Sequence, residues 1–123
     1  MNGLNILVVD DEPQILRFHK PALTASGYSV QHAATGREAL RMIATSAPDL
    51  VVLDLGLPDI DGKQVLREAR IFYTAPIVVL STRDREAEKI EALDLSADDY
   101  FEKPFVIGEL LARLRTALRH RNG

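Results

Sequence analysis

The runs Leu50-Val51-Val52-Leu53 and Ile77-Val78-Val79-Leu80 are apolar at every position. A strand with one solvated face alternates between apolar and polar residues. A strand apolar on both faces must be covered on both, as a central parallel strand is between two layers of helix. The rest of the chain supplies the neighbours and the layers. Leu4–Val9 is a third apolar run, Tyr28–His32 alternates weakly, and Asp98–Glu102 reads as a short last strand. Between them lie segments of helical period. The first opens at Asp11-Glu12-Pro13, with acids in its first turn and an early proline, carries Ile15, Leu16 and Leu23, and stops near Gly27. The second follows a capping box, Thr35 with Glu38 three later, and carries Ala39, Leu40 and Ile43 up to Pro48. The third follows Asp61-Gly62 and carries Val65, Leu66 and Ala69; the fourth, Glu86–Leu95, turns Ile90, Leu93 and Ala87 inward. The last has the clearest period, with Ile107, Leu110, Leu111, Leu114 and Leu118 on one face. This alternation predicts an α/β fold: a doubly wound (βα)5 unit, with a five-stranded parallel sheet, right-handed crossovers and helices on both faces.

A chain of 123 residues supports one domain with a real core. Its net charge of −3 leaves this domain without a basic footprint for nucleic acid. The absence of cysteine excludes disulfides, thiolate catalysis and cysteine-ligated zinc, and it suits a reducing compartment. The apolar start is too short for a secretory signal, and no stretch approaches membrane-spanning length, so a cytoplasmic location with no membrane partner is expected.

Function enters at the strand ends. In a parallel sheet all strand ends of one polarity lie on one edge, where open α/β sheets bind their ligands. Asp10, Asp11, Asp54, Ser81 and Lys103 each follow a predicted strand and would converge there. Taken singly, each has an ordinary explanation: turn and cap chemistry for Asp10 and Asp11, a solvated loop acid for Asp54, a loop-capping hydroxyl for Ser81, a surface charge for Lys103. Taken together, three carboxylates on one edge are costly unless a cation neutralises them. Mg²⁺ wants hard oxygen ligands, usually one or two carboxylates with waters and phosphate oxygens. A carboxylate can attack phosphorus to give an acyl phosphate, and lysine is a compact charge suited to the phosphoryl oxygens. Thr82 is a competing hydroxyl that the strand alternation puts on the other side of the sheet.

Three stretches carry a family resemblance: Val8-Val9-Asp10-Asp11-Glu12, Leu53-Asp54-Leu55-Gly56-Leu57-Pro58-Asp59-Ile60-Asp61-Gly62, and Ala97-Asp98-Asp99-Tyr100-Phe101-Glu102-Lys103-Pro104-Phe105. In order and spacing they resemble the receiver domain of two-component response regulators, over nearly the whole chain. The last stretch is most similar to the OmpR/PhoB subfamily, and the Leu53–Asp59 and Ile107–Leu110 stretches resemble its potassium-transport regulators. The resemblance implies strand order 2-1-3-4-5. It implies that Asp54 accepts a phosphoryl group from a sensor histidine kinase, and that Asp11, Asp54 and the Gly56 backbone carbonyl ligate Mg²⁺, with Asp10 acting through water. It further implies that Lys103 contacts the phosphoryl group, that Ser81 moves to meet it, that Tyr100 swings inward behind Ser81, and that the Lys103–Pro104 peptide is cis. Such a chain is a phosphoacceptor rather than a conventional enzyme.

The subfamily dimerises through the face made by the fourth helix, fifth strand and fifth helix. Matching positions here suggest Lys89 with Glu109, Asp94 with Arg115, and Asp98 or Asp99 with Arg113 across a two-fold axis, a self-complementary set as an isologous interface requires. The expected receiver spans residues 1–118. Residues 119–123 read as the start of a linker to an absent DNA-binding output domain, which would make the full-length protein a transcription regulator. A free-standing receiver, acting as a phosphorelay shuttle or kinase-binding adaptor, is the alternative. The chain departs from the family at Ser96, where glycine usually ends the fourth helix with positive φ; serine there costs about 1 kcal/mol or changes the turn. His19, His32 and His120 match no family role and read as surface or boundary residues. A haloacid-dehalogenase-like phosphatase would need an acid where Gly56 stands. A flavodoxin-like flavin carrier would need a phosphate-binding loop where Asp10-Asp11-Glu12-Pro13 stands.

Overall fold

Strands and helices alternate without exception. β1 (Asn5–Val9), β2 (Ser29–Ala33), β3 (Leu50–Asp54), β4 (Ile77–Ser81) and β5 (Asp99–Glu102) are interleaved with α1 (Pro13–Ala25), α2 (Gly36–Ser46), α3 (Gly62–Ala69), α4 (Glu86–Asp94) and α5 (Ile107–Arg119). The computed structural model describes residues 3–81, 86–103 and 105–120, apart from the side chains of residues 13, 15 and 101. Thr82, the side chain of Ile15, the Lys103–Pro104 peptide and the last three residues of the expected linker therefore lie outside the description. All strands are parallel, in the order β2-β1-β3-β4-β5.

Pleating divides the sheet residues between two cores. Leu7, Val9, Val51, Leu53, Ile77 and Val79 face one way, against Ala39 and Ile43 of α2, Val65 and Leu66 of α3, and Ala92 of α4. Ile6, Val8, Leu50, Val52, Val78 and Leu80 face the other way, against Leu23 of α1 and Leu110, Leu114 and Leu118 of α5. Each fully buried leucine or isoleucine stabilises by about 2 kcal/mol, so two-sided burial holds the three central strands β1, β3 and β4 firmly. Asp54 and Ser81 end β3 and β4, and Asp10 follows β1.

Local chemistry matches the reading at most termini. Thr35 caps α2 by accepting the Glu38 N–H at 3.1 Å, while Glu38 reaches back to the Ala34 N–H at 2.9 Å, one residue outside the cap. The Asp59 carboxylate adds bonds to the Gly36 and Arg37 N–H groups at 2.8 and 3.0 Å, and these bonds hold it below the usual carboxylate range. Gly62 opens α3 where a Cβ would meet Leu55 Cα at 2.5 Å and the Asp54 carbonyl oxygen at 2.9 Å. Only glycine lets α3 start that close to the end of β3.

Two expectations are corrected. The first turn of α1 holds no acid, because the helix begins at Pro13 and Glu12 is its N-cap, without a side-chain cap bond. Helix α4 does not turn Ile90, Leu93 and Ala87 inward: Ile90 is 51% and Leu93 42% exposed, Ala87 is exposed, and the buried positions are Glu88 and Ala92. Ser96 does take a left-handed φ, of 74°. Its carbonyl accepts Arg70 Nε at 2.9 Å; the same guanidinium binds the Tyr73 and Ala75 carbonyls at 2.9 and 2.7 Å and Asp98 Oδ2 at 2.7 Å. One arginine thus fastens the end of α3 to the turn that leaves α4.

Candidate functional site

The register sets the edge of the sheet. Asp54 ends β3 opposite Leu80, Ser81 ends β4 opposite Glu102, and Asp10 and Lys103 come directly after β1 and β5. Asp10 is 1% and Asp54 5% exposed, and both are held by their own loops: Asp10 Oδ1 accepts the Glu12 N–H at 2.7 Å, and Asp54 Oδ1 the Gly56 N–H at 2.9 Å. Lys103 reaches across the edge. Its Nζ lies 2.5 Å from Asp54 Oδ2, 3.7 Å from Asp10 Oδ2 and 3.6 Å from Glu12 Oε1. The backbone beneath it is pinned, since the Lys103 N–H donates to the Ser81 carbonyl at 2.8 Å.

The electrostatics follow from crowding acids in a shielded place. Burial, with a further push from the Asp54 charge, raises Asp10 to about 6, against the pull of the Glu12 N–H and of Lys103. For Lys103, burial acts to lower the ammonium, but the carboxylates of Asp54, Asp10 and Glu12 outweigh it and hold it above its ordinary value.

Two observations fit the pocket to a divalent cation. Asp10, Asp11, Glu12 and Asp54 each bring a carboxylate oxygen within 4.8 Å of one another. Asp10 Oδ2 is buried and, among the described residues, has no hydrogen-bond partner. A buried orphan acceptor costs about 1–3 kcal/mol, and a hard cation bound by oxygen would satisfy it.

All five residues expected at the edge are there: Asp10, Asp54, Ser81 and Lys103 buried or nearly so, Asp11 exposed. Gly56 contributes its N–H to Asp54. Tyr100 is 7% exposed and packs in the core that α4 covers, so it already lies inward here. The seven charged residues expected on a dimer face divide into two sets. Lys89, Asp94 and Arg115 are exposed. Asp98, Asp99, Glu109 and Arg113 have partners within the chain: Asp98 with Arg70 and the Ile77 N–H at 2.8 Å, and Arg113 with both oxygens of Asp99 at 2.8 and 2.9 Å and with Glu109 at 3.0 Å.

Three residues here were not expected. Glu12 belongs to the acid cluster; its place beside Asp10-Asp11 was the available signal, masked by its fitness as a helix opener. His32 Nε2 meets the Asp10 carbonyl at 2.7 Å, which requires the proton on that nitrogen. Glu88 is 5% exposed and accepts the Ser81 hydroxyl at 2.9 Å. Neither of these contacts across elements has a local sequence signal.

A doubly wound parallel sheet in the order 2-1-3-4-5, with acids, a hydroxyl and a lysine converging at its carboxyl edge, places this chain in the flavodoxin-like class of α/β domains. The response regulator receiver domain model matches residues 6–115, and the chain belongs to that family. It is 54% identical over 114 residues to the transcriptional regulatory protein KdpE of Mycobacterium tuberculosis (strain CDC 1551 / Oshkosh), and 52% identical over 115 residues to the KDP operon transcriptional regulatory protein KdpE of Escherichia coli (strain K12). Those matches cover 93% and 94% of this chain but 50% and 51% of the relatives, so the chain spans about half their length. Among solved structures, the BeF3-activated N-terminal receiver domain of Klebsiella pneumoniae RstA superposes with a TM-score of 0.89 at 35% identity, covering 94% of this chain and 99% of that one. The chain is thus a receiver of the KdpE and MprA type, a class that signals through phosphorylation and is not a conventional enzyme family. Among the described residues no helix is long and apolar enough to cross a membrane.

Proposed function

We propose that this chain is the phosphorylation switch of a cytoplasmic transcription regulator, with Asp54 as acceptor. One Asp54 carboxylate oxygen attacks the phosphorus of a histidine kinase's phosphohistidine. The P–N bond breaks, the imidazole leaves with its electron pair, and an acyl phosphate remains on Asp54. Asp11, Asp54 and the Gly56 carbonyl would hold Mg²⁺, with Asp10 acting through water. When bound, the ion would neutralise charge on the carboxylates and on the phosphoryl oxygens. Lys103 gives up part of its bond to Asp54 and follows the new negative charge. Ser81 donates its hydroxyl proton to a phosphoryl oxygen, and Tyr100 packs behind it. The same pocket would later admit the water that removes the phosphoryl group.

The output is a shift of the α4-β5-α5 face toward a two-fold dimer through Lys89, Asp94, Asp98, Asp99, Glu109, Arg113 and Arg115, controlling a DNA-binding domain in the other half of the protein. The half-length match to transcriptional regulators supports that reading over a phosphorelay shuttle. The exposed Ile90 and Leu93 beside those charges support the dimer face.

The observation that carries the proposal is the buried Asp54 carboxylate in contact with Lys103 Nζ, beside a buried Asp10 oxygen that has no hydrogen-bond partner among the described residues. Its test is intact mass after incubation with acetyl phosphate or phosphoramidate and Mg²⁺, beside Asp54→Ala. The expected result is a gain of one phosphoryl group, labile to hydroxylamine and absent without Mg²⁺ or in the variant. A gain that persists in Asp54→Ala overturns the acceptor assignment.

A further inference from the structure

Helix α4 presents an acid to the sheet where an amphipathic helix would present an apolar residue. Glu88 sits in its first turn, 5% exposed, with Oε1 accepting the Ser81 hydroxyl at 2.9 Å and Oε2 lying 3.8 Å from Lys63 Nζ on α3. Lys63 also binds Glu91 Oε1 at 3.0 Å. A carboxylate in such a place is tolerated only with donors around it, so the Ser81 proton supports the docking of α4 on the sheet.

A serine hydroxyl has one proton to donate. Pointed at Glu88, it is unavailable to a phosphoryl group on Asp54. The serine backbone is held by the β4–β5 register and by the Lys103 N–H on its carbonyl, so the choice between the two acceptors falls to side-chain rotation. We propose that Glu88 is a positioning residue that competes with the phosphoryl group for the Ser81 proton. The inference rests on the reading of Asp54 as phosphoacceptor and names the element coupled to it.

The coupling runs both ways. A phosphoryl group that captures Ser81 deprives the buried Glu88 carboxylate of that donor and favours a reseating of α4, in which Lys63, 3.8 Å from Oε2, can close on it. Conversely, whatever moves Glu88 releases Ser81 and favours the charged ligand. A ligand shifts such an equilibrium only by its difference in affinity for the two arrangements, so Glu88 sets a threshold between occupancy of the pocket and movement of the helix that carries Ile90 and Leu93.

The test measures half-saturation by beryllofluoride, a phosphoryl stand-in, with Mg²⁺, followed by ¹⁹F NMR. It compares wild type, Glu88→Ala, Glu88→Gln, Ser81→Ala and the Glu88→Ala/Ser81→Ala double variant, each checked for folding by circular dichroism. Removing the competing acceptor is expected to tighten binding about 3- to 30-fold, with Glu88→Gln, which keeps a neutral acceptor, in between. On the Ser81→Ala background the same change is expected to move binding less than about twofold, because the contested proton is gone. Equal tightening on both backgrounds would assign Glu88 to the general seating of α4 and overturn the proposal, as would unchanged or weaker binding in Glu88→Ala. If Glu88→Ala does not fold, Glu88→Gln decides by the same comparison on both backgrounds. Failure of folded wild type to bind, with Asp54→Ala indistinguishable from it, would instead remove the phosphoacceptor reading, and this proposal with it.

Discussion

Replacing Asp10 by asparagine is expected to stabilise the metal-free protein while weakening its response to Mg²⁺. Asp10 is almost wholly buried, and burial raises it from the ordinary 3.8 to about 6. That gap corresponds to about 3 kcal/mol between its protonation states. The folded state holds the proton more tightly than the unfolded state does. Stability therefore falls as pH rises from about 4, and the full cost of ionised Asp10 is present above about 6. Asparagine keeps the volume and the acceptor for the Glu12 N–H, and it removes the charge beside Asp54. The loss is a 3.7 Å attraction to Lys103, which retains Asp54 at 2.5 Å. The expected gain at pH 7.5 in EDTA is about 1–3 kcal/mol, shrinking to near zero at pH 4. Urea unfolding of both proteins at the two pH values measures it, with unchanged m-values confirming that the denatured state is comparable. Mg²⁺ should then raise the wild-type midpoint by mass action and raise the variant's less at the same concentration. Asparagine that destabilises at pH 7.5, or stabilises equally at pH 4, would refute the reasoning that the acid cluster is paid for by the fold.

Ser96→Gly is expected to stabilise by about 1 kcal/mol, because the residue already holds a φ of 74° and its backbone bond to Arg70 needs no side chain; the urea midpoint checks it, and no gain would mean that the serine side chain compensates its own strain. Gly62→Ala is expected to cost about 1–3 kcal/mol by overpacking and to slow phosphorylation of Asp54, since the added carbon would press on the Leu55 backbone and the Asp54 carbonyl. Unfolding and intact-mass kinetics measure the two effects, and wild-type kinetics in a destabilised variant would separate the loop's packing from its chemistry.

The fold was legible because its strongest signals are also its largest energies. Val51, Val52, Val78 and Val79 are buried on both faces of the sheet, so no other pairing could hide them. The candidate site was legible for a related reason: a parallel sheet sends every strand end of one polarity to the same place, so Asp10, Asp54, Ser81 and Lys103 needed only correct strand boundaries to converge. What stayed illegible depends on contacts between elements. His32 holds the carbonyl of Asp10 from the neighbouring strand, and Arg70 gathers three carbonyls and Asp98 from two loops. Each joins residues at least three and mostly more than twenty positions apart, and neither residue type announces its partner.

Helix α4 misled for a more instructive reason. Periodicity locates the apolar face of a helix and assumes that this face meets the core. Here the outward face carries Ile90 and Leu93, and the inward face carries Glu88 and Ala92. A helix so arranged gives up apolar burial and places a carboxylate where it needs donors, so its attachment is weaker than that of α5, which buries Leu110, Leu114 and Leu118. Weak attachment suits the movement proposed for α4, since segments that rearrange are drawn from the low-stability end of a fold. The inverted face and the Ser81–Glu88 bond are then two aspects of one arrangement: the inward carboxylate takes the place of apolar burial and draws on a hydroxyl donor, which is the contact on which the proposed competition would act.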